Sequence, residues 1–223
     1  MNFKIKYSNY KNSYLEILKG GSLGEQTTPV ASGISSFSFD NETLQNAVDL
    51  WITDESEALK KYGHISNWNT QNVTDMRNLF KKHKSFNEPL NWDTRNVTNM
   101  SGMFNDAESF NQPLNWDTKN VTNMVSMFYG ALYFNQPLDF TSTEKVTNMS
   151  GMFSKAWSFN QTLNFDTKNV TDMSIMFNGA ESFNQPLDFN TKNVTNMKYM
   201  FYGALDFNQP LDFTSTEKVT NMS

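Results

Sequence analysis

The stretch "NWDTRNVTNMSGMFNDAESFNQPL", residues 91–114, decides the fold, because variants of it fill the chain on both sides. Its tetrapeptide V-T-[ND]-M begins at Val73, Val97, Val121, Val146, Val170, Val194 and Val219, in steps of 24, 24, 25, 24, 24 and 25 residues. Self-similarity at such a period marks an array of stacked repeats. Residues 120–150 also recur as residues 193–223, with only Val125, Ser126 and Tyr133 replaced, by Lys198, Tyr199 and Asp206. A block of three repeats has been duplicated.

Two spacings alternate inside a repeat. Val97, Met100, Met103, Phe104, Ala107 and Phe110 recur by threes and fours, which predicts a helical or 3₁₀ return. Leu114 and Trp116 are two apart, so "PLNW" predicts a short strand with both side chains on one face, and Pro113 stands at its start, where a missing N–H does least harm. One repeat has too little apolar surface to offset the ordering of its own backbone, so repeats must stack. The expected fold class is an α/β repeat solenoid of leucine-rich-repeat type, with short parallel strands and helical or 3₁₀ returns. The extra residue of "DFTSTEKVT" (139–147) falls between strand and return and belongs in a loop.

Upstream, residues 1–36 combine the alternating "FKIKY" (3–7), a candidate strand, with a Gly/Ser/Thr/Pro-rich stretch that reads as a flexible linker. Residues 37–63 predict a helical N-terminal cap. Leu44, Ala47, Val48 and Trp51 fall on one helical face, Asp40 or Asn41 suits the N-cap, and a second helix from Thr53 or Asp54 ends at Gly63. Residues 64–223 form the repeat array, six full coils and an incomplete seventh.

The segment "AVDLWITDESEALKKYGHISNWNTQNVTDMRNLF" (47–80), followed by units of "VTNMSGMF..A..SFNQPL.WDT", resembles the BspA-like leucine-rich repeats of bacterial surface proteins. The resemblance covers residues 40–223. It implies a curved array used for adhesion or protein binding, at the cell surface or outside the cell, and it brings no catalytic residues. No signal peptide, lipobox Cys or wall-sorting tail is visible, which leaves a virion or intracellular protein open.

Composition narrows the partners. Net charge is −5 and the pI about 5.0, which disfavours nucleic acid and anionic membranes. There is no Cys, hence no disulfide, thiolate zinc site or Cys nucleophile. No apolar run has the length needed to cross a membrane.

Repeated columns explain most of the polar residues. The Asn after the repeat Phe (Asn87, Asn111, Asn135, Asn160, Asn184, Asn208) suits a ladder bonding the backbone of adjacent coils. The Met pairs from Met100/Met103 to Met197/Met200 read as core filler rather than metal ligands. The Thr of each V-T (Thr74, Thr98, Thr122 and onward) reads as an N-cap for the turn that follows. The N-V-T sequons at Asn72, Asn96, Asn120, Asn169 and Asn193 matter only in a eukaryotic secretory pathway. "WDTKN" offers too few carboxylates for calcium. His64 and His83 are the two histidines, and no nucleotide or nucleophile motif accompanies them.

Neither a catalytic residue, a cofactor nor a metal site is therefore expected. The expected function is a non-catalytic binding or adhesion scaffold for a protein partner or cell-surface receptor. Its candidate contact residues are Tyr129, Tyr133, Trp157, Tyr199 and Tyr202, aromatics at positions that vary between coils. The alternative is a structural assembly component of a virion or surface layer, packing through its faces or self-associating through the open last coil.

Overall fold

Asp40 begins the first helix as its N-cap. Its carboxylate accepts the Thr43 N–H at 2.8 Å while the Thr43 hydroxyl accepts the Asp40 N–H at 2.9 Å, a reciprocal box that satisfies both orphan donors. Helix α1, Asn41–Thr53, then buries Leu44, Ala47, Val48 and Trp51. Asp54 caps α2, Glu55–Tyr62, by accepting from the Glu57 N–H at 3.0 Å, and Gly63 ends it at φ 74°. The computed structural model describes residues 37–211 and 216–222, all within the unit Ile34–Ser223. The strand and linker expected over 1–36 lie outside the described residues.

The cap closes over the first coil with rings. Phe39 packs on Trp68 at 5.0 Å between centroids, Trp51 meets Trp68 edge-on at 5.9 Å, and Trp68 stacks on Trp92 at 6.3 Å. From there each 24- or 25-residue coil lies on the one before. The Phe in eighth place, counting from the repeat Val, stacks along the array (Phe104–Phe128 5.6 Å, Phe128–Phe153 5.7 Å, rings within 10° of parallel). A second Phe column runs beside it, with Phe134–Phe159 and Phe159–Phe183 both at 6.0 Å. Met100, Met103, Met124, Met127, Met149 and Met152 are fully buried alongside.

The expected α/β class is not what forms. Among the described residues there are two α-helices, one short 3₁₀ turn and no strand or sheet. Parallel pairing among the described residues is confined to single bridges, Ser38 with Asn69 and then one per coil along Asp75, Asn99, Asn123, Asn148, Asp172, Asn196 and Asn221. The reason lies in the backbone that follows each bridge. The N–H groups of Met100, Gly102, Phe104 and Asp106 donate to Asn123, Val125, Met127 and Tyr129 of the next coil. The intervening Met103, Asn105 and Ala107 donate instead to the residue three back, closing turns. Gly102 and Asp106 sit at φ 61° and 55°, a left-handed step that neither a helix nor a strand tolerates.

The segment expected to be a helical return is therefore the one that carries the coil-to-coil backbone bonds. "PLNW" buries Leu114 and Trp116 on one side and exposes Asn115, as the alternation implied, but has no ladder partner. The Trp116 indole reaches the Leu90 carbonyl at 3.3 Å in its place. The Thr of V-T does not cap a helix either. Thr98 Oγ1 donates to the Thr74 carbonyl of the previous coil at 3.1 Å, and the Asn99 side chain takes over the turn by accepting the Ser101 N–H at 3.0 Å. The inserted residue is absorbed at Thr141–Ser142, where Thr141 Oγ1 bonds Asp117 and the bridge Asn123–Asn148 keeps register.

Candidate functional site

A second set of backbone bonds organises one edge of the array. Ser109, Tyr133, Ser158, Ser182 and Asp206 each donate their N–H to the preceding coil, at Lys84, Glu108, Leu132, Trp157 and Glu181, over 2.9–3.2 Å. These bonds fix one row of rungs: Lys84/Ser85, Glu108/Ser109, Leu132/Tyr133, Trp157/Ser158, Glu181/Ser182 and Leu205/Asp206. Tyr133 and Trp157 thereby stand on adjacent rungs, 60% and 47% exposed, whereas Trp51, Trp68, Trp92 and Trp116 are buried. The rung before them is neutralised by an ion pair, Lys84 Nζ to Glu108 at 2.8 Å. Glu181 and Asp206, on the rungs after them, are exposed and form no ion pair among the described residues.

The five aromatics singled out in the sequence do not form one cluster. Tyr129 is half-buried beside the row, with Lys155 Nζ 5.4 Å from its ring centre, and that contact raises the Lys155 pKa. Tyr199 and Tyr202 meet edge-on at 5.8 Å in the last full coil. There Met197, Met200, Tyr202, Leu211 and Met222 line an open concavity of about 400 Å³. Coil five, with no exposed aromatic, separates the two groups. Leu205 escaped the sequence reading and is 76% exposed. Glu181 and Asp206 escaped it too, although Asp206 is one of the three differences between the duplicated blocks.

Of the two histidines, His64 caps a turn. His64 Nδ1 lies 2.8 Å from Ser66 Oγ and accepts the Ser66 N–H, capping the 3₁₀ turn Ile65–Asn67, with Glu88 3.8 Å from Nε2. This superficially Ser–His–carboxylate grouping leaves Ser66 buried and its neighbour Nδ1 committed to the cap. Burial lowers the His64 pKa, with Glu55 opposing. His83 is half-buried where later coils carry Ala107 or Ala131.

The Asn column behaves as a ladder. Asn135 N–H donates to Asn111 Oδ1 at 3.0 Å, and Asn135 Oδ1 accepts from Asn160 N–H and Gln161 Nε2, both at 2.9 Å. The sequon amides are engaged likewise, Asn96 Nδ2 on the Gln71 carbonyl and Asn120 Nδ2 on that of Arg95, each at 2.8 Å. Among the described residues no group of three or more His, Cys, Asp or Glu could hold a metal ion, and no helix is long and apolar enough to cross a membrane.

No curated protein and no solved structure matches the chain. The family described as "Mycoplasma protein of unknown function, DUF285" matches over residues 51–163 and 138–223. With that match running from Trp51, near the end of α1, through α2 and every coil, the chain belongs to this family.

Proposed function

We propose that the chain is a binding scaffold whose stacked coils present a surface to another protein, with no chemistry performed on it. The observation that carries this reading is the pair Tyr133 and Trp157. Every ring of the two stacked Phe columns from Phe80 to Phe183 is buried. These two vary from coil to coil, face solvent, and stand on adjacent rungs of a rigid edge. Large exposed rings held by a fixed backbone are effective interface anchors, because little side-chain entropy is lost on contact. The resemblance to BspA-like surface repeats supports adhesion as the setting for such binding.

The test compares partners captured from the native source by the full chain and by a Tyr133→Ala/Trp157→Ala variant. The reading expects a partner retained by the parent and lost by the variant, with thermal unfolding unchanged because both side chains lie outside the core. Equal capture by both proteins would place the interface elsewhere.

A further inference from the structure

The row on either side of Tyr133 and Trp157 is electrically lopsided. Before the aromatics, the Glu108 carboxylate is already satisfied by Lys84 at 2.8 Å. After them, Glu181 and Asp206 stand exposed on consecutive rungs joined by the Asp206 N–H to Glu181 carbonyl bond at 3.0 Å. Lys155 and Lys198 lie instead over the rings of Tyr129 and Tyr199, at 5.4 and 4.9 Å. An apolar platform is thus followed by two carboxylates that form no ion pair among the described residues.

Spacing selects what can lie there. Beneath the rungs, the ring centres of the adjacent Phe column repeat at 6.0 Å from Phe134 to Phe159, 6.0 Å to Phe183 and 5.8 Å to Phe207. An extended polypeptide advances about 6.6 Å per two residues, so its alternate side chains fall on successive rungs. We propose, building on the protein-binding reading above, that the row takes an extended segment of another protein in which an apolar residue is followed at i+2 and i+4 by arginine or lysine. The apolar residue rests on Tyr133 and Trp157, and the two cations meet Glu181 and Asp206. A guanidinium in second place also lies within reach of the Trp157 face, which favours cations. Polyanions are repelled by the same carboxylates.

Trp157 reports directly, as the exposed tryptophan of the five. Its fluorescence in the full chain is followed during titration with Ac-Leu-Ser-Arg-Ser-Arg-amide, with Ac-Leu-Ser-Glu-Ser-Glu-amide, and with chitohexaose. The arginine peptide is expected to saturate and the other two to have no effect. E181Q/D206N should weaken the arginine peptide by about tenfold. D139N/D188N, which removes the same charge from exposed positions elsewhere, should leave it unchanged.

An affinity untouched by E181Q/D206N, an equal loss in both double variants, or saturation by the saccharide or acidic peptide alone would overturn the cationic occupant. So would the absence of any saturable change. Those outcomes are separable from failure of the scaffold reading. A native partner that is lost with Tyr133→Ala/Trp157→Ala yet indifferent to E181Q/D206N removes the cation and leaves the aromatic interface standing.

Discussion

The carboxamide of Asn78 lies over the α-carbon of Gly102, in the space that a Cβ on Gly102 would fill. The same nesting recurs one coil on, with the Asp106 side chain over Gly130, while at Gly179 the Lys155 side chain stands at ordinary van der Waals distance from that space. Each of these glycines is also left-handed, at φ 61°, 65° and 66°. Side chains of one coil therefore settle into notches that the next coil leaves open, which positions the coils sideways as the ring columns position them in height.

Gly102→Ala meets both the left-handed penalty and the Asn78 carboxamide, and should lower stability by about 2–4 kcal/mol. Gly63→Ala supplies the comparison, since Gly63 has φ 74° but nothing within 4 Å of an added Cβ. It should lose only about 1–2 kcal/mol. Adding Asn78→Gly to Gly102→Ala should recover the difference. Urea unfolding of the four proteins measures this, and equal losses at the two glycines would mean that the notch has no role.

Replacing Asn135 by Ala strips the acceptor from both the Asn160 N–H and the Gln161 amide. The expected loss is about 1–3 kcal/mol. Asn135→Asp keeps an oxygen in place and should sit much closer to the parent at neutral pH. Chemical denaturation ranks the three, and an Ala variant as stable as the parent would show the ladder to be idle.

His64 sets a pH dependence at the junction of cap and first coil. Burial lowers its folded pKa below the ordinary 6.5, against the opposing charge of Glu55. The Trp51 ring, centred 5.1 Å away, Ser66 and Glu88 complete its surroundings. The unfolded chain then binds a proton more readily than the folded one. The stability contributed by neutral His64 is complete above pH 6.5 and is lost as pH falls from there toward the folded pKa. Thermal midpoints measured from pH 8 to pH 5 should fall less for His64→Gln than for the parent. Parallel curves would rule out this histidine as the source.

How far the sequence was legible depends on which atoms do the work. Side-chain columns were legible, since burial depends on identity and period alone: Val97, Met100, Phe104, Ala107 and Phe110 are all in the core. Backbone bonding was not. Spacings of three and four suit a helix, but they equally suit a chain that turns every few residues and bonds outward to its neighbours. The deciding signal, the left-handed step, is plain at Gly102 and Gly130 yet hidden at Ser126, Ile175 and Tyr199, which adopt φ values of 52°, 49° and 55° despite carrying side chains. The exposure of Tyr133 and Trp157 could be suspected from their variability. The bare carboxylates beside them become visible only once the rungs are known.

The direction of the coil-to-coil bonds has a kinetic corollary. Met100, Gly102, Phe104 and Asp106 all give their protons forward, to carbonyls of the following coil. Slow deuterium uptake at these amides therefore certifies that the following coil is in place, and says little about their own. If the array frays from its C-terminal side, labelling should run one coil ahead of the unravelling, each lost coil unmasking the amides of the intact coil beneath it.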